Sequence, residues 1–228
     1  MLIFLLLLAC AAAAGYAFLP SSLGKARRRL SRNRRQEPGV LYLTFDDGPS
    51  PDYTPALLDL LASHQVPATF FVVGDHAREN PALIQRMQAE GHAIGFHSAH
   101  HHSAYLMGPR QTRRDFSDGL TALNDLGVAP RYFRPPWGVV NWSSLAQIHT
   151  RRLHPILWDV MAQDWRGDIT SGEIIRRLRA RVYPGAVICL HDGRGAEGAP
   201  GRTIQALDVL LPEWLDQGFT FRPLVCHE

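Results

Sequence analysis

Two acids stand side by side in the stretch Leu41-Tyr42-Leu43-Thr44-Phe45-Asp46-Asp47-Gly48-Pro49, where an apolar run stops and Gly-Pro turns the chain. Adjacent carboxylates repel, and a divalent cation held by one leaves the other free to act as a base. An acidic turn at a strand end would read the same way, so the pair needs corroboration. It comes from Gly95-Phe96-His97-Ser98-Ala99-His100-His101-His102, which follows a second strand-like run. One helical turn would aim His97 and His101 at a common point, and with Asp47 they make an N, N, O donor set that leaves coordination positions open. Open positions are what a catalytic metal needs. His100 and His102 offer other pairings, and a four-histidine cluster is also what a surface patch with adventitious metal affinity looks like. A cation held this way lowers the pKa of water to about 7 and polarises a carbonyl. Asp46 would then take the water's proton, and His191, in Leu190-His191-Asp192-Gly193, would protonate a leaving nitrogen. For His191 the plain alternative is a strand-end turn with a hydrogen-bonded histidine.

These residues need elements that bring them to one place. Strand-like runs are expected at Leu41 to Phe45, Ala68 to Val73, Ala93 to Phe96, Tyr132 to Arg134, Ile156 to Val160, Ala186 to Leu190 and Phe219 to Leu224. Helices are expected between them over 54–64, 81–90, 110–126, 143–152, 171–182 and 202–216. Asn80-Pro81 places a cap before a proline, and Thr170-Ser171 precedes Glu173. Strands separated by helices imply parallel pairing, and right-handed crossovers would curl such a sheet toward a barrel. Asp46, Asp47, His97, Arg134, Asp164, His191 and Asp192 all fall at or just past C-terminal strand ends, which share one face in a parallel barrel.

The chain begins with twenty residues free of charge, MLIFLLLLACAAAAGYAFLP. That approaches the length of a membrane-spanning helix. Residues 1–20 are therefore expected to form a hydrophobic helix acting as a signal anchor or a signal peptide, with 21–37 a basic linker and 38–228 the catalytic domain. The linker carries Lys25, Arg27, Arg28, Arg29, Arg32, Arg34 and Arg35. By the positive-inside rule this flank favours the cytoplasm, which conflicts with the expected location: a single-pass anchor in the cell membrane with the domain outside, or a secreted protein if the segment is cleaved. From residue 37 onward 17 basic residues face 21 acids, a balance of −4, so the folded domain is not expected to bind nucleic acid. Three cysteines are too few for a disulfide framework, though one bridge between Cys189 and Cys226 is conceivable.

Five motifs in order, Thr44-Phe45-Asp46-Asp47-Gly48-Pro49, His97-Ser98-x-x-His101, Arg134-Pro135-Pro136-Trp137-Gly138, Asp164-Trp165 and Leu190-His191-Asp192, resemble those of the polysaccharide deacetylases, carbohydrate esterase family 4. The resemblance spans roughly residues 38 to 225. It implies an α/β fold, a distorted (β/α)7 barrel, and metal-dependent hydrolysis of N-acetyl groups on amino sugars. Mapped by motif, Asp46 would be the base, Asp47, His97 and His101 the ligands of Zn2+ or of Co2+, Ni2+ or Mn2+, and His191 the acid. Arg134 would hold Asp46, and Asp164 would orient Arg134. The N–H of Trp137 would stabilise the oxyanion, while Trp137, Trp165, Pro136 and Cys189 would bind substrate. Met161 stands where an acid is usual, and Cys189 where a leucine often walls the pocket. Asn141 is either a loop residue or a sugar contact, and Asp192 a structural partner. The expected partner is an acetylated amino-sugar glycan, peptidoglycan above all, acted on by a monomer. Alternatives are a chitooligosaccharide or a lipid-linked sugar as substrate, and, in another class, a non-catalytic carbohydrate-binding barrel.

Overall fold

The computed structural model describes residues 1, 4, 11–12, 14–22 and 39–224. β1 (Val40–Asp46) alternates in the way a strand buried on both faces must. Leu41, Leu43 and Phe45 enter the main apolar core under the helices, while Tyr42 packs with Phe71, Tyr132, Ile156, Val187 and Leu224 on the inner side. Asp46 follows the inner register of Tyr42 and Thr44, so the strand delivers a carboxylate to the inside.

Around β1 lie β2 (Thr69–Val72), β3 (Ala93–Phe96), β4 (Tyr132–Phe133), β5 (His154–Pro155), β6 (Val160–Met161), β7 (Val187–His191) and β8 (Thr220–Phe221). The sheet runs β5-β4-β3-β2-β1-β7-β6, with β8 on the start of β1, and its pairings are parallel. The helices are α1 (Thr54–Ser63), α2 (Gly74–Glu79), α3 (Pro81–Ala89), α4 (Pro109–Asn124), α5 (Trp142–Thr150), α6 (Ser171–Arg181) and α7 (Ala199–Asp216). Among the described residues no pairing joins β5 to β6, so the expected barrel is a curled, open one. Register sets the functional face: Asp46 lies opposite both His191 and Phe71, Val72 opposite Phe96, and Phe96 opposite Phe133. The residues that follow these ends, Asp47, His97 and Arg134, therefore emerge together.

Several expectations need correction. The strand expected over Ile156 to Val160 is two short strands, β5 bonded to β4 and β6 bonded to β7. Pro155 has no N–H to continue a ladder, and the carbonyls of Ile156 and Leu157 turn to Arg134 instead. The last strand is only Thr220–Phe221, and α2 was not expected at all, its N-cap being Val73 with no side-chain cap. The membrane anchor is overturned: among the described residues no helix is long and apolar enough to cross a membrane. Instead, helical residues 14–22 lie on the domain, where Ser21 Oγ donates to Val140 O and accepts from Val140 N at 2.8 and 2.9 Å. Phe18 packs 4.5 Å from the Tyr105 ring, and Trp142 Nε1 donates to Gly15 O. Residues 2–3, 5–10 and 13 of the expected apolar helix, the basic linker from residue 23 on, and Cys226 lie outside the described residues.

Candidate active site

The strand-end loops of β1 and β7 interlock without room for a side chain at two glycines. A Cβ on Gly48 would collide with the Asp192 carboxylate, and one on Gly193 with the carbonyl of Asp47. This close approach sets Asp46 and Asp47 beside His191. Asp47 itself sits at φ 76°, Ser98 at 74°, His101 at 53° and Trp137 at 53°, left-handed conformations that L residues seldom adopt. Four such residues around one site mark strain that the surrounding bonds must hold. Ser98 Oγ accepts from His101 N at 2.8 Å, and His76 Nδ1 contacts the Asp47 carbonyl at 2.8 Å.

Asp47, His97 and His101 converge, with ligand atoms within 4.8 Å of one another. His97 Nε2 and His101 Nε2 lie 3.1 and 2.9 Å from the same Asp47 oxygen, Oδ1, yet neither approach has hydrogen-bond geometry. His97 Nδ1 is 2.7 Å from Arg134 O, a carbonyl that only accepts, so Nδ1 carries the proton and a neutral ring turns the lone pair of Nε2 toward Asp47. A lone pair facing a carboxylate oxygen is the arrangement a cation between them resolves, and an imidazole oriented by its other N–H is the usual support for a metal-binding histidine. The donor set fits a divalent cation. The same oxygen calls for positive charge: burial alone would push the Asp47 carboxyl up, but protonated imidazoles at His101 and His97, with His191 behind them, hold it well below the ordinary carboxylate range, the role a cation takes over from them.

His100 and His102 have other surroundings. His100 Nδ1 pairs with Asp75 at 2.6 Å, and His100 and His102 line a separate cavity of about 350 Å³ with Leu106 and Arg114. Asp115, buried, accepts from the N–H groups of Ala99 and His100 and braces the loop.

Asp46, 3% exposed, is gripped by Arg134, whose Nη1 donates to Asp46 Oδ1 at 2.6 Å and to Thr44 Oγ1 at 2.8 Å. Arg134 is fully buried, its guanidinium 4.0 Å from the centre of the Phe71 ring, and Nε and Nη2 donate to Ile156 O and Leu157 O. The break between β5 and β6 thus supplies acceptors for the arginine. Asp164 is not its orienting partner, as expected from the motif. Instead Asp164 Oδ1 lies 2.9 Å from His191 Nδ1, while Oδ2 accepts from His191 N and Thr203 Oγ1. Burial would depress the His191 imidazole, but Asp164 first, then Asp46 and Asp47, raises it to about 9.

Of the expected substrate-binding residues, Trp137 is 59% exposed and packs its ring 4.4 Å from that of His101. Trp165 is half-buried, with its ring centre 5.0 Å from that of His191 in an edge-on contact. Pro136 is buried in the single turn that presents Trp137. Cys189 is no open wall: its thiol, fully buried, donates to Asp46 Oδ2 at 3.4 Å, and it is a free cysteine. Asn141 is no sugar contact either, being buried and bonded to Ala104 O, Met107 O, Thr112 Oγ1 and Ser144 N. Asp192 is structural as expected, accepting from Thr54 Oγ1 at 2.6 Å. Its carboxyl is pushed up to about 7 by burial, against the pull of that bond and with the help of Asp47 and Asp46. His76, Thr203 and Thr54 were missed, since nothing in their local sequence marks them. Ser98 was within reach, because a serine three residues before a turn N–H is a known capping spacing.

Residues 33–153 match the polysaccharide deacetylase family model, a match that stops before Asp164 and His191. The chain is 36% identical over 207 residues to a chitooligosaccharide deacetylase of Sinorhizobium fredii, covering 86% of this chain and 95% of the relative. Among solved structures it resembles a peptidoglycan N-acetylglucosamine deacetylase in complex with 4-naphthalen-1-yl-N-oxidanyl-benzamide, with TM-score 0.77 and 30% identity over 83% of this chain and 87% of that one. It also resembles a family 4 acetyl xylan esterase from Clostridium thermocellum in complex with a cobalt ion, with TM-score 0.73 and 32% identity over 81% and 87% of the two chains. With the family model matching over more than half its length, this chain belongs to the polysaccharide deacetylases.

Proposed function

We propose that residues 38–228 form a metal-dependent amidohydrolase that removes acetyl groups from N-acetylated amino sugars of a cell-envelope glycan, with peptidoglycan N-acetylglucosamine the foremost substrate. The observation that carries this reading is the meeting, at one sheet edge, of the Asp47–His97–His101 set with Asp46 and His191. The relative from Sinorhizobium fredii favours a second substrate of the same bond type, a chitooligosaccharide. A binding barrel without turnover would need neither the buried Asp46–Arg134 pair nor the His191–Asp164 pair.

Asp47, His97 and His101 would hold the cation, Zn2+ or a similar divalent ion; when bound it supplies positive charge to the acetamide carbonyl and acidifies water. Asp46 takes the proton of the attacking water through Oδ2, since Oδ1 is tied to Arg134. The water oxygen bonds to the acetyl carbon, and the N–H of Trp137 donates to the resulting oxyanion, a contribution worth about 3 kcal/mol. His191, its Nδ1 held by Asp164, delivers the proton from Nε2 to the departing nitrogen. The C–N bond breaks, leaving acetate and a free amine. Trp137 and Trp165 supply aromatic faces beside the metal set and the acid. The test is acetate release by the purified protein from peptidoglycan and chitooligosaccharides. Turnover that is lost in Asp46→Asn and on chelation is expected, and no release from any acetylated glycan by metal-loaded protein would overturn the reading.

A further inference from the structure

We propose that Asp46, Cys189 and His191 form a second cation site, and that a thiophilic divalent ion bound there switches the enzyme off. The inference rests on the acid–base reading of Asp46 and His191. β1 and β7 pair with Thr44 opposite Cys189 and Asp46 opposite His191, so the three side chains share the inner face of two adjacent strands. Their ligand atoms lie within 4.8 Å of one another, one of two such groups among the described residues.

The existing bonds decide which atoms are available. Asp46 Oδ1 belongs to Arg134, leaving Oδ2, toward which the Cys189 thiol points. His191 Nδ1 belongs to Asp164, leaving Nε2. The result is one sulfur, one nitrogen and one oxygen, a set that favours zinc and cadmium over magnesium, calcium or manganese. The His191 side chain, 12% exposed, gives the cluster its way out, whereas Cys189 behind it is fully buried. On coordination the sulfur–hydrogen bond breaks and its proton passes to solvent. The guanidinium of Arg134 beside Asp46 repels a second cation, so this site fills after the Asp47–His97–His101 set. Filling it occupies the base and the acid at once, and inhibition follows without displacement of the first ion.

The experiment is a Cd2+ titration of the full chain already loaded with one equivalent of Co2+. It follows acetate release from a chitooligosaccharide together with the ultraviolet charge-transfer absorption of a cadmium thiolate. Wild-type protein should lose activity in step with growth of the band. Loss of an outer-shell partner alone weakens metal binding about tenfold or more. Cys189→Ser, which removes a direct ligand, should therefore need at least about ten times more Cd2+ for half-inhibition relative to its own uninhibited rate, and should lose that part of the band. Cys10→Ser/Cys226→Ser should behave as wild type. If Cys189→Ser melts early, Cys189→Ala serves in its place. Equal half-inhibition with and without the thiol, or a band undiminished by its removal, would mean that cadmium acts at the Asp47 set and would overturn the proposal. If no acetate is released by any form, the deacetylase reading fails, while the band still decides whether the second site exists.

Discussion

Replacing Arg134 with methionine is the most informative single perturbation of this fold. The methionine keeps the apolar stem against Phe71 but removes the donors that serve Asp46 Oδ1, Thr44 Oγ1, Ile156 O and Leu157 O. Asp46 is 3% exposed, so the substitution strands a buried carboxylate, and breaking a buried pair by deleting one partner costs about 3–5 kcal/mol. For a domain of this size each kcal/mol moves the melting temperature by about 2–4 °C, so a fall of roughly 6–20 °C is expected. Asp46→Asn/Arg134→Met should melt well above the sum of the two single losses, because the double variant leaves neither charge alone. Calorimetry at neutral pH measures the stability, and acetate release measures the activity, which should be lost in all three variants. A fall of less than about 2 °C in Arg134→Met, or strict additivity, would refute the view that the Arg134 guanidinium compensates the buried Asp46 carboxylate.

Three further outcomes follow from the same contacts. His191 is raised to about 9 from an ordinary imidazole value near 6.5, so its pairing with Asp164 stabilises the fold fully below about pH 6.5 and is lost as pH rises through about 9. The alkaline limb of the rate profile should fall in that window, and Asp164→Asn should move it to lower pH. His101→Ala should bind Co2+ at least about tenfold more weakly by equilibrium dialysis, while chelation of wild-type protein should abolish turnover and readdition of the ion restore it. His76→Ala removes the contact to the Asp47 carbonyl and should weaken cation binding by about 10–100-fold, with a smaller effect on the melting temperature.

Much of the site was legible because it is written locally. Asp46, Asp47, His97, Arg134 and His191 each end an apolar strand, and parallel pairing carries strand ends to one face whatever the details of the loops. The partnerships were not legible, because they depend on which loop crosses which. Asp164 was assigned to Arg134 but reaches His191, since the residues after β6 approach β7 and not β4. Cys189 reads as a pocket wall because it stands two residues before His191, where the family often has a leucine, and only the burial of its thiol and the bond to Asp46 show otherwise. The split of the strand at Pro155 was readable in principle, as proline cannot donate to a ladder. α2 and its His76 carry no capping signal and no periodic stretch long enough to register. The apolar N-terminal run was long enough for a span by composition, yet among residues 14–22 Ala17 and Ser21 are spent on contact with the domain.

The central claim is that Asp47, His97 and His101 hold one cation beside an Asp46 that is not among its ligands. The anomalous-scattering crystal structure of the cobalt-loaded protein tests it most directly. A single peak about 2.0–2.2 Å from Asp47 Oδ1, His97 Nε2 and His101 Nε2 is the predicted result. A peak elsewhere, or two imidazoles hydrogen-bonded to Asp47 with no ion between them at saturating cobalt, would contradict it.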